Sequence, residues 1–187
     1  MAITQLNNRS INRSDTASAG QLWTATSATA SDFQAAGGIT VASQWRITSN
    51  FTGDAEPITS NWEEADAPTS YGILGSSITE SSGIFTFPST GYYLILAQAA
   101  WQASNSENSI NLNIQTTHDN STYATTASVS DGTNHYGGAM VNYIFDVTST
   151  SNCKSRLGIA NGNDSNTIIG STTEHYTGLT FIRLGDT

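Results

Sequence analysis

The stretch GIFTFPSTGYYLILAQAAW, Gly83 to Trp101, limits what the chain can become more than any other. Pro88 has no N–H to give to a strand ladder, so a strand over Ile84–Phe87 must stop or reach a sheet edge there. Ser89-Thr90-Gly91 then supplies a turn, and a new strand opens at Tyr92. Its two faces are Tyr92, Leu94, Leu96 and Tyr93, Ile95, Ala97, and both are apolar. An antiparallel strand with one wet face alternates apolar and polar residues. Two apolar faces require either a second layer of the same chain or another subunit. A two-layer sandwich has no third layer, so subunit contact is the expectation.

The rest of the chain reads as many short strands. Ser, Thr and Asn make up over a third of its 187 residues, a composition suited to strands and turns rather than helices. SQWRITSNF carries Trp45, Ile47 and Phe51. In SINLNIQ, Ile110, Leu112 and Ile114 are expected to face in and Asn111 and Asn113 out. AMVNYIFDV puts Val141, Tyr143, Phe145 and Val147 on one side. SRLGIA supplies Leu157 and Ile159, and TGLTFIRL sets Leu179 and Phe181 against Ile182 and Leu184. Eight or more such segments with no βαβ helix imply an antiparallel sandwich or barrel. No 20–50-residue repeat is evident, which disfavours propellers and solenoids.

Residues 1–42 differ from the remainder. They are small and polar, and Ile11, Leu22, Trp23 and Phe33 are too few apolar anchors for a core. This stretch is expected to be an arm, either disordered or ordered against a partner, and residues 43–187 the folded domain. Two of the six basic residues, Arg9 and Arg13, lie in the arm.

Net charge is −9, the wrong sign for phosphate binding, so nucleic acid is not an expected partner. No apolar run approaches the roughly 20 residues that span a bilayer. The N-terminus shows no charged segment followed by an apolar one, so the expectation is an unexported protein made in a cytoplasm. Cys153, the single cysteine, offers neither a disulfide nor a metal set. His118, His135 and His175 fall in polar, turn-like stretches without metal-ligand spacing and are expected to be solvated. NGND and SDG read as turns rather than calcium loops. Glu63, Glu64 and Asp66 are a weak glycosidase pair, because such carboxylates usually come from separate strands. No catalytic, cofactor or metal site is expected.

The motif Gly83, Phe85, Pro88, Gly91, Tyr93 resembles the signature of the jelly-roll superfamily shared by the complement component one-q globular head and tumour necrosis factor. The closing TGLTFIRLG is similar to the last strand of that group. The resemblance implies an all-β, antiparallel jelly-roll sandwich, preceded here by the N-terminal arm and assembled as a compact homotrimer. It implies a binding or structural role rather than catalysis. As residues of the trimer interface or core it points to Phe85, Phe87, Tyr92, Tyr93, Leu94, Ile95, Trp101, Tyr143 and Phe181. The signal peptide, collagen-like stalk and membrane anchor of the animal members are not expected here. Its opening NNRSINRSDTASAGQLW and closing FIRLGDT instead resemble structural proteins of tailed bacteriophages. That second resemblance implies a virion protein on the capsid surface: a decoration or cement trimer whose arm contacts the major capsid protein through Arg9, Arg13, Leu22, Trp23 and Phe33. The alternative is a tail-fibre or receptor-binding knob that meets host glycans through Asn161–Asn166 or Ser130–Tyr136.

Overall fold

The structure, a computed structural model, describes residues 21–25, 31–35, 37–66, 73–103, 109–132, 135–161 and 165–187. Every regular element among them is a strand. The chain divides into two units, Met1–Gly38 and Ile39–Thr187.

In the first unit, β1 (Gln21–Ala25) and β2 (Ser31–Ala35) pair antiparallel, with Trp23 opposite Phe33. The sequence reading placed no strand here. Its Thr, Trp and Phe suit a strand, but two five-residue segments with one aromatic each carry little apolar pattern. Arg9 and Arg13 lie outside the described residues.

The second unit is a jelly-roll sandwich of two antiparallel sheets. The larger contains β3 (Ala42–Ile47), β4 (Phe51–Thr52), β5 (Trp62–Glu64), β8 (Gly91–Gln102), β11 (Tyr136–Val147), β13 (Thr167–Ile168) and β14 (Gly178–Gly185). Its order is β4-β13-β8-β14-β3-β5, and β11 pairs with the other edge of β8 from Gly91 to Gln102. The smaller runs β10 (Ala124–Gly132), β9 (Ser109–Thr117), β12 (Lys154–Asn161), β7 (Ile84–Thr86), β6 (Thr79–Ser81).

Side-chain alternation determines what lies between the sheets. Tyr93, Ile95, Ala97, Ala99 and Trp101 of β8 point inward and are buried, as are Leu179 and Phe181 of β14. From the other sheet come Phe85, Ile110, Leu112, Ile114, Leu157 and Ile159. Phe87, just past β7, sits at the centre, with ring centroids 4.8 Å from Tyr93, 5.6 Å from Phe145 and 5.8 Å from Phe181. Val41, at the end of the stretch read as an arm, is also in this core.

The Gly-Pro-Gly motif has a steric basis. Gly83 has φ +80°, and a Cβ there would lie 2.1 Å from the Ile58 carbonyl oxygen. At Gly91, φ is +139° and a Cβ would lie 2.4 Å from the Gly185 oxygen. Both positions therefore exclude a side chain. Between them the Tyr93 hydroxyl donates to the Ser89 carbonyl at 3.1 Å, tying the turn to the strand it launches.

One facing expectation is corrected. Asn113 is buried, not solvated, because residues 55–58 pair edge-on with β12 and the Glu56 side chain reaches over Gly158 to it. Ala55 bridges Ile159, and the Asn113 amide donates to the Glu56 carboxylate. The alternation of SINLNIQ was read correctly, but a side chain from elsewhere in the chain reaches over its outer side.

Candidate assembly surface

The outward positions of β8 are Tyr92, Leu94, Leu96, Gln98, Ala100 and Gln102, none of them fully buried. Strand register extends this face across the sheet. Leu94 lies opposite Ile144 of β11 on one side and Ile182 of β14 on the other, and Ile182 lies opposite Ala42 of β3. Four strands thus present one continuous apolar row, Ile144–Leu94–Ile182–Ala42. Tyr92 is 42% exposed, Ile144 58%, Met140 61% and Tyr136 70%. Apolar side chains scattered singly are normal on a surface, but a contiguous row of them marks an interaction site.

The opposite end of the face is covered by the chain itself. Residues 170–177 fold back over it, held by Ser171 N–H donating to the Ile47 carbonyl and Ile47 N–H donating to the Thr177 carbonyl. Beneath them Arg46, an outward position of β3, is 1% exposed. Its guanidinium lies 2.6 Å from Glu63 and 3.0 Å from Asp66, and it donates to the Thr172 carbonyl. A buried arginine is tolerable only with such partners. This uses two of the three carboxylates considered for glycosidase chemistry. The third, Glu64, accepts hydrogen bonds from Ser43 and Ser77.

His175 is seated in the same corner, over Gly178, where a Cβ would come within 2.9 Å of its Cε1. Its carbonyl accepts a hydrogen bond from Gln98. Its Nδ1 is enclosed without a hydrogen-bond partner. Burial, and secondarily the Arg46 charge, hold the imidazole below its ordinary value. The expectation of a solvated loop histidine is corrected here: the loop turns inward onto the sheet. His118 and His135 are exposed as expected. Beside His175 a shallow hollow of about 350 Å³ is lined by Gln98, Ala100, Gly138, Met140 and Tyr176. Across the sheet a cleft of about 210 Å³ lies between Ala42, Gln44, Ile182, Ala65 and Ile73.

The sequence-derived interface residues separate by face. Phe85, Phe87, Tyr93, Ile95, Trp101 and Phe181 are interior to one chain. Tyr143 points inward from β11, half-buried and packed against the core. Tyr92 and Leu94 alone stand on the outer face. Leu96 and Ile182, which the sequence places on strand faces but not among the interface residues, join them, as do Met140 and Ile144, which it does not single out. The second face of AMVNYIFDV, where Met140 and Ile144 flank Asn142, carried that signal. In the arm Leu22 is 58% exposed, and the side chains of Trp23 and Phe33 lie outside the described residues, as do residues 133–134 and 162–164 of the two loops proposed for glycans.

Elsewhere, Cys153 is fully buried, with Sγ 3.4 Å from His118 Nδ1 and 3.8 Å from Thr148 Oγ1. A thiol enclosed in this way is inaccessible to a substrate. Among the described residues no group of His, Cys, Asp and Glu forms a metal-binding cluster.

No family model matches the chain, and no curated protein matches it. Its fold does have solved counterparts. The structure of murine APRIL at pH 8.5 superposes with TM-score 0.57 at 14% identity, covering 77% of this chain and 98% of that one. Murine APRIL at pH 5.0 gives 0.55 at 15%, covering 77% and 99%. Eiger TNF from S. frugiperda gives 0.57 at 14%, covering 79% and 94%. At such identities the likeness is one of fold: a TNF-like jelly roll.

Proposed function

We propose that this chain is a non-enzymatic structural protein that assembles as a homotrimer through the outer face of its larger sheet and decorates the head of a tailed-phage virion. The observation that carries self-association is the apolar row Ile144–Leu94–Ile182–Ala42, continued by Tyr92, Leu96 and Met140, on a sheet whose other face already forms the core. Covering such a row removes apolar surface from water at about 25 cal/mol per Å². The symmetric closed assembly that suits this fold buries the face in every copy.

The virion setting rests on the phage-like opening and closing segments. Three copies bring three arms, so a modest contact of each arm with the major capsid protein is multiplied by effective concentration. An acidic trimer, each chain carrying −9, stays off packaged DNA. Two measurements test this. Copy number in purified virions is expected to be high, as for a head decoration, whereas a handful per particle would instead indicate a fibre knob. Removing residues 1–38, which spares Val41 of the core, is expected to abolish binding to empty capsids while leaving the assembly intact. Undiminished binding would reject the arm as the anchor.

A further inference from the structure

We propose that His175 makes assembly through the outer face reversible by pH: the face closes against sister copies while the imidazole is neutral and opens when it takes up a proton. The inference rests on the self-association proposed above and assigns it a control element.

The geometry supports it in three ways. His175 borders the hollow formed by Ala100, Gly138 and Met140, at the edge of the apolar face, so a copy seated on that face covers the ring. The ring is already part-enclosed, its Nδ1 without a partner, so a proton placed there has no acceptor waiting for it. The Arg46 cation acts on the ring against a positive charge, and the carboxylates that neutralise it, Glu63 and Asp66, are engaged with the guanidinium.

The other groups around the ring do not offset this. On its own loop, Glu174 is exposed and bonded to the exposed Tyr176, whose phenol it pushes up. The facing positions of β8, β11 and β14 are the uncharged Gln98, Met140 and Gly178. In one copy, the half-open side of the ring still lets water solvate an imidazolium. A second copy removes that water, so assembly and protonation oppose each other.

By linkage, a group protonated less readily in the assembled state favours assembly above its free-copy value and disfavours it below. That value lies under the ordinary 6.5, so association is lost as the pH falls below that. Each further unit of depression on assembly weakens association about tenfold per copy.

The test is sedimentation velocity of the full chain and of His175→Gln at about pH 8 and about pH 5, with circular dichroism to confirm folding. Wild type is expected to be oligomeric at the higher pH and to release folded monomer at the lower, while His175→Gln stays oligomeric at both. If His175→Gln does not fold, His175→Phe takes its place. Wild type that keeps its oligomer at the lower pH, or dissociates together with the variant, overturns the role of His175 and leaves self-association standing. Wild type that is monomeric at the higher pH overturns self-association itself.

Discussion

Arg46 and Glu63 form an ion pair on what would otherwise be the open face of a sheet: the guanidinium is 1% exposed and the carboxylate side chain 30%. The pair bridges β3 to β5 directly opposite in register. The loop of residues 170–177 closes over it, which fixes how far the apolar face extends. Arg46 also holds Asp66 and the Thr172 carbonyl, so loss of Glu63 leaves it partly compensated. Glu63→Ala is expected to cost about 1–3 kcal/mol, lowering Tm by roughly 3–10 °C in a domain of this size. An unchanged Tm in thermal denaturation would show that the pair contributes nothing to stability.

Gly137 and Gly132 offer a matched comparison. A Cβ at Gly137 would meet Trp101 Nε1 at 2.5 Å and Cε2 at 2.9 Å, within the rigid ring of a fully buried side chain. At Gly132, nothing lies within 4 Å. Gly137→Ala is therefore expected to destabilise by about 1–3 kcal/mol through overpacking, and Gly132→Ala to be near neutral. Chemical denaturation of both variants checks this, and equal effects would contradict the steric account.

Phe87 contacts three other rings at the centre of the sandwich. Phe87→Ala is expected to cost about 3–5 kcal/mol, the usual range for truncating a buried aromatic. A loss below about 1 kcal/mol would mean that the aromatic cluster is not the stabilising centre of the fold.

How much of this was legible beforehand depended on the range of the interaction. The break at Pro88, the restart near Tyr92 and the in–out alternation of Ile110, Leu112, Ile114, Leu179 and Phe181 are local properties of the backbone, and they could be read directly. The two apolar faces of β8 were equally visible, but not which one was outward. That depends on the smaller sheet packing over Tyr93 and Ile95. The burial of Asn113, Arg46 and His175 was hidden because it depends on segments distant in the chain: Glu56 reaches Asn113 from the strand edge beside β12, and residues 170–177 close over Arg46. Alternation records the pleat of a strand and carries no record of what lies above it.

Asp119 gives a pH dependence of definite sign. Its carboxylate accepts from the Thr117 hydroxyl at 2.7 Å and from the backbone N–H groups of Thr122 at 2.7 Å and Ser121 at 2.9 Å. These bonds, the Thr117 hydroxyl foremost, hold it well below the ordinary 3.8. A carboxylate depressed in the folded state contributes stability that is present above its unfolded value and lost as pH falls below it. Asp119→Asn is expected to be less stable than wild type at about pH 7, the difference shrinking as pH falls below the unfolded value of 3.8 and closing only in strong acid, once the folded-state carboxyl takes up its proton. A difference that did not shrink in acid would assign the effect to something other than the charge.

The most direct test of the central claim is the solution mass of the purified chain near neutral pH at micromolar concentration, by sedimentation equilibrium, beside Leu94→Glu. Leu94 sits mid-row on the outer face, with Ile144 on one side and Ile182 on the other. A glutamate there faces water in a single copy and is buried without a partner in an assembly. The account predicts three times the chain mass of 19.8 kDa for wild type and a folded single chain for Leu94→Glu. A wild-type protein that sediments as one chain, or a Leu94→Glu variant that still forms the trimer, would contradict it.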